Sequence, residues 1–72
     1  MNEKQIQAIK YDAKYNFMEV TKTEFHEYII NIKKDKKLLD ASGCVYYGTL
    51  PYNTIIAKSD YINRKYYIAK KV

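Results

Sequence analysis

His26 and Cys44 are the only histidine and the only cysteine in this 72-residue chain, and they limit the catalytic chemistry it can hold. A metal site needs several ligands at workable spacing. The acidic residues that could complete one are scattered, so the sequence predicts no metal and no cofactor. The same pair could in principle act as imidazole base and thiol nucleophile, but no third residue stands ready to orient the ring. Cys44, beside Val45, reads as a small core hydrophobe, and His26, beside Phe25, as a partly exposed helix residue. Gly43 and Gly48 are the only glycines and have neither the Walker nor the GxGxxG spacing, which excludes a phosphate-cradling loop. Glu24 and Glu27 lie three apart among lysines, with no apolar setting to raise a carboxyl pKa. The expectation is a protein that binds rather than an enzyme.

The residues with binding chemistry are tyrosine and lysine. Of nine tyrosines, Tyr46, Tyr47, Tyr52, Tyr61, Tyr66 and Tyr67 fall in the second half of the chain. Adjacent pairs in strands must point to opposite faces, so one ring of each pair is expected outside. Alternation from Tyr61 onward puts Tyr61, Asn63, Lys65, Tyr67 and Ala69 on one face and Ile62, Arg64, Tyr66, Ile68 and Lys70 on the other. With helices over the second face, the first displays rings interleaved with ammonium groups. Such a surface suits single-stranded nucleic acid, whose bases stack on aromatics while lysines track phosphates. It equally suits a protein partner, for which tyrosine is a favoured anchor, or simple cross-strand packing within a small sheet.

Positive charge supports either kind of partner. Lysine and arginine outnumber aspartate and glutamate by 13 to 8, a net charge of +5. Isoleucine, lysine, asparagine and tyrosine make up about half of the chain, so AT-rich codons alone would produce much of that excess, and position says more than composition. A chain of this size holds one domain, residues 1–72, with a core near the lower limit of stability. One cysteine allows no internal disulfide. With no apolar leader after Met1 and no apolar run approaching a membrane span, a cytoplasmic protein with no membrane partner is expected.

These side chains must be held by a small set of elements. Ile6, Ile9, Ala13, Phe17 and Val20 recur at steps of three and four and predict a helix from Asn2 to about Met18. Thr21-Lys22-Thr23-Glu24 has the form of a capping box, which predicts a turn and a second helix from Thr23 to Asp35, with Phe25, Tyr28, Ile29 and Ile32 on its buried face. Lys33, Lys34, Lys36 and Lys37 then crowd its carboxyl end, where the helix dipole favours cations. Leu38 and Leu39 return to the core before turn residues Asp40 to Gly43. Val45-Tyr46-Tyr47, Thr54-Ile55-Ile56 and Tyr66-Tyr67-Ile68 read as strands, the first two joined through Leu50-Pro51-Tyr52-Asn53. Between the last two, a tight turn at Ser59-Asp60 into one long strand is preferred to a wider loop through Arg64. The sum is an α+β fold of order ααβββ: two helices on one face of a three-stranded antiparallel meander.

On that frame the expected binding residues are Lys33, Lys34, Lys36, Lys37, Tyr47, Tyr61, Lys65 and Tyr67. The expected partner is nucleic acid, single-stranded by preference, or a nucleoprotein complex. The alternative is an inhibitor or adaptor of the kind small phage and mobile-element proteins supply, directed at a host protein. A homo-oligomer is a further possibility, because a meander leaves two open edges.

Overall fold

In a computed structural model the chain forms two helices and a five-stranded antiparallel sheet. The structure describes residues 1–33, 36–49 and 54–71, the side chains of Ile32, Lys33 and Lys71 excepted. Lys34 and the Leu50-Pro51-Tyr52-Asn53 connection lie outside the described residues.

Helix α1 spans Glu3–Lys14 and starts in a capping box: Asn2 accepts from Gln5 N at 2.8 Å and Gln5 Oε1 accepts from Asn2 N at 3.1 Å. At Tyr15 the backbone turns extended, and strand β1, Tyr15–Val20, follows without a loop. The sequence predicted helix to Met18 instead. Local period cannot separate the two, because Phe17 and Val20 continue a helical stripe while Tyr15, Phe17 and Glu19 also alternate with Asn16, Met18 and Val20. The choice is made by pairing, with β1 aligned along the far end of the chain from Tyr15 opposite Lys71 to Val20 opposite Tyr66.

The predicted Thr21–Glu24 capping box forms, with both reciprocal hydrogen bonds at 3.1 Å, and starts α2, Lys22–Tyr28. A π-helical turn, Ile29–Lys33, follows, so the regular α-helix ends well short of Asp35. Phe25 and Ile29 are buried and Tyr28 is half-buried, as the periodicity implied. The segment after it is strand β2, Lys37–Ala41, and its Leu38 and Leu39 return to the core as expected, packing half-buried against the α1-side cluster. Ser42 and Gly43, both at positive φ (55° and 78°), close a two-residue hairpin into β3, Cys44–Thr49. The turn residues were legible; that they join two strands was not.

β4, Thr54–Asp60, and β5, Lys65–Lys71, complete the sheet in the order β1-β5-β4-β3-β2. The wider connection forms between them: Tyr61 to Arg64 are a turn, and Asp60 accepts from the backbone N–H groups of Ile62 (3.1 Å) and Asn63 (3.0 Å). The preferred long final strand is therefore corrected. Asp60 sets the turn through Asn63, whose side-chain amide it also accepts at 2.9 Å.

The two helices do not share a face. Ala8 and Tyr11 of α1 pack with Tyr15, Phe17, Tyr46, Ile55 and Ala69, whereas Phe25 and Ile29 of the second helical segment pack with Val20, Tyr47, Ile56, Ala57 and Tyr66. Strand alternation puts these sets on opposite sides, so the sheet lies between the helices. The α1 side is concave. Phe17 and Tyr46 stand three strands apart, about 14 Å in a flat sheet, yet their ring centroids are 6.4 Å apart. An extra residue in β4, where Tyr47 pairs with Ala57 but Gly48 with Ile55, assists the bend. Beyond it β4 parts from β5, and the freed Ile55 N–H donates to Tyr15 Oη at 3.1 Å.

Packing also reverses the predicted phase of α1. Ala8 is buried while Ile6 and Ile9 remain substantially exposed. Tyrosine rather than isoleucine anchors the helix, through the Tyr11–Tyr46 ring contact at 5.5 Å.

Candidate binding surface

Register brings the start of β1, the end of β5, the start of β4, the end of β3 and the start of β2 to one end of the sheet. Lys14 immediately precedes β1, Lys70 and Lys71 close β5, and Lys36 and Lys37 open β2. Lys33, the last residue of the π-helical turn, leads into the same end. Lys14, Lys36, Lys37 and Lys70 are all exposed. Lys37 leans on Asp40 at 3.3 Å, but both side chains are largely solvated and such a pair is held weakly. At the opposite end the charges are mixed: Glu19, Asp40 and Asp60 stand among Arg64 and Lys65.

The expected site residues divide accordingly. Lys36 and Lys37 belong to the basic end, joined by Lys14, Lys70 and Lys71, which the sequence reading did not single out. Lys65 is exposed but opens β5 at the other end, opposite Asp60. Tyr61 lies in the adjoining turn, 54% exposed, and its Oη donates to Asp40 Oδ1 at 3.3 Å; the charge of that carboxylate raises the phenol pKa. Tyr47 and Tyr67 are on opposite faces, so they cannot form one platform. Tyr47 packs edge-on against Phe25 at 5.6 Å under α2, and Tyr67 edge-on against Phe17 at 6.5 Å on the concave side. The expected open face of rings and ammonium groups is thus replaced by two covered faces and a basic end. The signal that could have found that end is the pattern of lysines flanking strands, which is readable only once β1 and β2 are known to be strands.

The concave face holds a polar cluster that no motif announced. Tyr46, Lys58, Tyr67 and Glu19 form one cross-strand row. Lys58 Nζ lies 4.3 Å from the Phe17 ring centroid, 5.2 Å from that of Tyr67 and 5.8 Å from that of Tyr46. Asp12 Oδ1 accepts from Lys58 Nζ at 2.9 Å and from Tyr46 Oη at 3.1 Å, tying α1 to the middle of the sheet. Burial, then the charge of Asp12, pushes the Tyr46 phenol far above its ordinary value, and burial pushes up the Cys44 thiol. Neither group is activated. His26 packs edge-on against Phe25 on the other face, so Cys44 and His26 cannot act together.

Among the described residues no three potential ligands gather as a metal centre would require, and no helix is long and apolar enough to cross a membrane. The fold and surface define a small α+β domain with a five-stranded antiparallel sheet and one lysine-rich end. Compared with protein-family models, curated proteins and solved structures, the chain matches none.

Proposed function

We propose that this chain is a small non-enzymatic module that binds nucleic acid through the lysine-rich end of its sheet. The observation that carries the reading is the placement of Lys14, Lys36, Lys37, Lys70 and Lys71 at three of the five strand ends on one side of the sheet, those of β1 and β5 at one flank and of β2 at the other. These ends span about 19 Å at ordinary strand spacing. Several ammonium groups over that width can meet consecutive phosphates and release their counterions. Because Tyr47 and Tyr67 are engaged in packing, recognition is led by phosphate contacts with little base stacking. It therefore favours neither a base sequence nor strongly a single strand over a duplex.

The test is anisotropy titration of short labelled DNA and RNA across salt concentrations. Four phosphate contacts give a slope of log K against log salt of about −3. The triple variant Lys36→Glu, Lys37→Glu, Lys70→Glu is expected to abolish binding. The pair Arg64→Glu, Lys65→Glu at the opposite end leaves most of it. No binding at low salt, or equal loss in both variants, refutes the reading.

A second reading rests on the interlocked hairpin tips. Tyr61 N–H donates to Gly43 O at 3.2 Å and the Ile62 side chain lies over Gly43, yet Tyr61 is 54% and Ile62 69% exposed. Paired apolar groups on a fixed turn suit an anchor for a host protein. Stoichiometric recovery of one partner after nuclease treatment, lost in Ile62→Asp, would favour this reading over the first.

A further inference from the structure

The two edges of the sheet are treated differently. β2 is irregular, with a register shift between Lys37 and Leu39, carries exposed Lys37 and Asp40, and has α1 packed beside it. Bulges, charges and a covering helix all discourage strand addition. β1 also has α1 packed beside it and carries one exposed charge, Glu19, but it lacks the irregularity. Its six residues pair with β5 in unbroken register, it contains no proline or lysine, and among the described residues β5 is its only strand partner. Asn16, Met18 and Glu19 are exposed, Met18 at 48%.

We infer that the β1 edge pairs with β1 of a second copy of this chain, making a two-fold dimer with a continuous ten-stranded sheet. A two-fold axis normal to the sheet keeps each residue on its own face, so antiparallel self-pairing must be centred on a residue. Centring on Met18 sets Lys14 against Lys22 of the second copy, and centring on Glu19 sets the two carboxylates against each other. Centring on Phe17 avoids both. It places Asn16 opposite Met18 and Tyr15 opposite Glu19 of the second copy.

The charges then complement each other. Lys14 Nζ lies over the Tyr15 ring, 5.7 Å from its centroid, and so already stands on the side where the second copy's Glu19 arrives. Two symmetric Lys14–Glu19 pairs close the ends of the interface, while the exposed Met18 side chains are covered near its centre. An edge of six residues buries little area, so the dimer is a concentration-dependent one. This inference shares Lys14 with the proposed nucleic-acid surface but does not rest on that reading, and its test reads association of the protein alone.

Sedimentation equilibrium of the full chain tests it, with circular dichroism to confirm that each variant is folded. The native chain should show a monomer–dimer equilibrium. Glu19→Lys should weaken it by about tenfold or more, since each end then sets like charges together. Lys14→Glu combined with Glu19→Lys should restore it. A native chain that stays monomeric at its highest soluble concentration overturns the inference. So does a dimer indifferent to Glu19→Lys, or one that the charge swap fails to restore.

Discussion

Replacing Asp12 with alanine should destabilise the protein far more than replacing Lys58, its ion-pair partner, with methionine. The asymmetry comes from exposure: the Asp12 side chain is 47% accessible and that of Lys58 only 15%. Asp12→Ala removes the acceptor of two hydrogen bonds, from Lys58 and from wholly buried Tyr46. It leaves an ammonium group among three rings with little water to replace the carboxylate. Hydrogen bonds to a charged group contribute about 1.5–3 kcal/mol each. The half-exposure of Asp12 and the persisting cation–π contacts reduce the sum, and a net loss of about 2 kcal/mol follows. In a domain this small that lowers Tm by about 10 °C. Lys58→Met keeps the apolar stem against Phe17 and Tyr67, leaves Asp12 to water and to Tyr46, and should cost about 1 kcal/mol or less.

The decisive measurement is the double variant. With Lys58 already methionine, loss of Asp12 strands no buried charge, so Asp12→Ala/Lys58→Met should be more stable than Asp12→Ala alone. Urea denaturation followed by circular dichroism on all four proteins gives the cycle. A Lys58→Met loss as large as that of Asp12→Ala, or a double variant at the sum of the two, refutes the reasoning.

Two further outcomes are expected. Burial, its largest cause, raises the Cys44 thiol above its ordinary 9.0 and does the same to the Tyr46 phenol above 10.0, so the folded state holds protons that the unfolded chain gives up first. Their contribution to stability is complete below those ordinary values and is lost as pH climbs beyond them. Urea midpoints should fall from about pH 9 upward, less so in Cys44→Ala, and a flat alkaline profile contradicts this. Gly48→Ala should cost about 3 kcal/mol or prevent folding, because the added methyl meets the Thr54 carbonyl oxygen and Leu38 Cδ1, and the first is backbone. Wild-type stability in that variant would show that the β3–β4 approach is looser than described.

The binding surface depended on elements the sequence left ambiguous. Lys36 and Lys37 were legible as a basic run, yet as helix-end residues they explained themselves through the dipole. As the start of an edge strand they join Lys14, Lys70 and Lys71. For the tyrosines the local pattern holds and its consequence does not. An adjacent pair in a strand does put one ring on each side, as Tyr46 and Tyr47 do, but a helix on each face leaves neither side bare.

What the sequence determines alone is what short-range chemistry can dictate. The Thr21–Glu24 box starts a helix, Phe25 and Ile29 face inward at helical spacing, and Ser42-Gly43 supports positive φ. The β-branched and aromatic runs around Val45, Ile55 and Tyr66 are extended. Tertiary structure decides the rest. Tyr15–Val20 and Lys37–Ala41 carry patterns compatible with two periods, and only pairing with partners elsewhere in the chain resolves them. For β1 that partner is β5, more than forty residues away. A hydrogen-bond ladder between distant segments leaves no mark within either one, so both outer strands, the sheet's curvature and the basic end exist only once the chain has closed on itself.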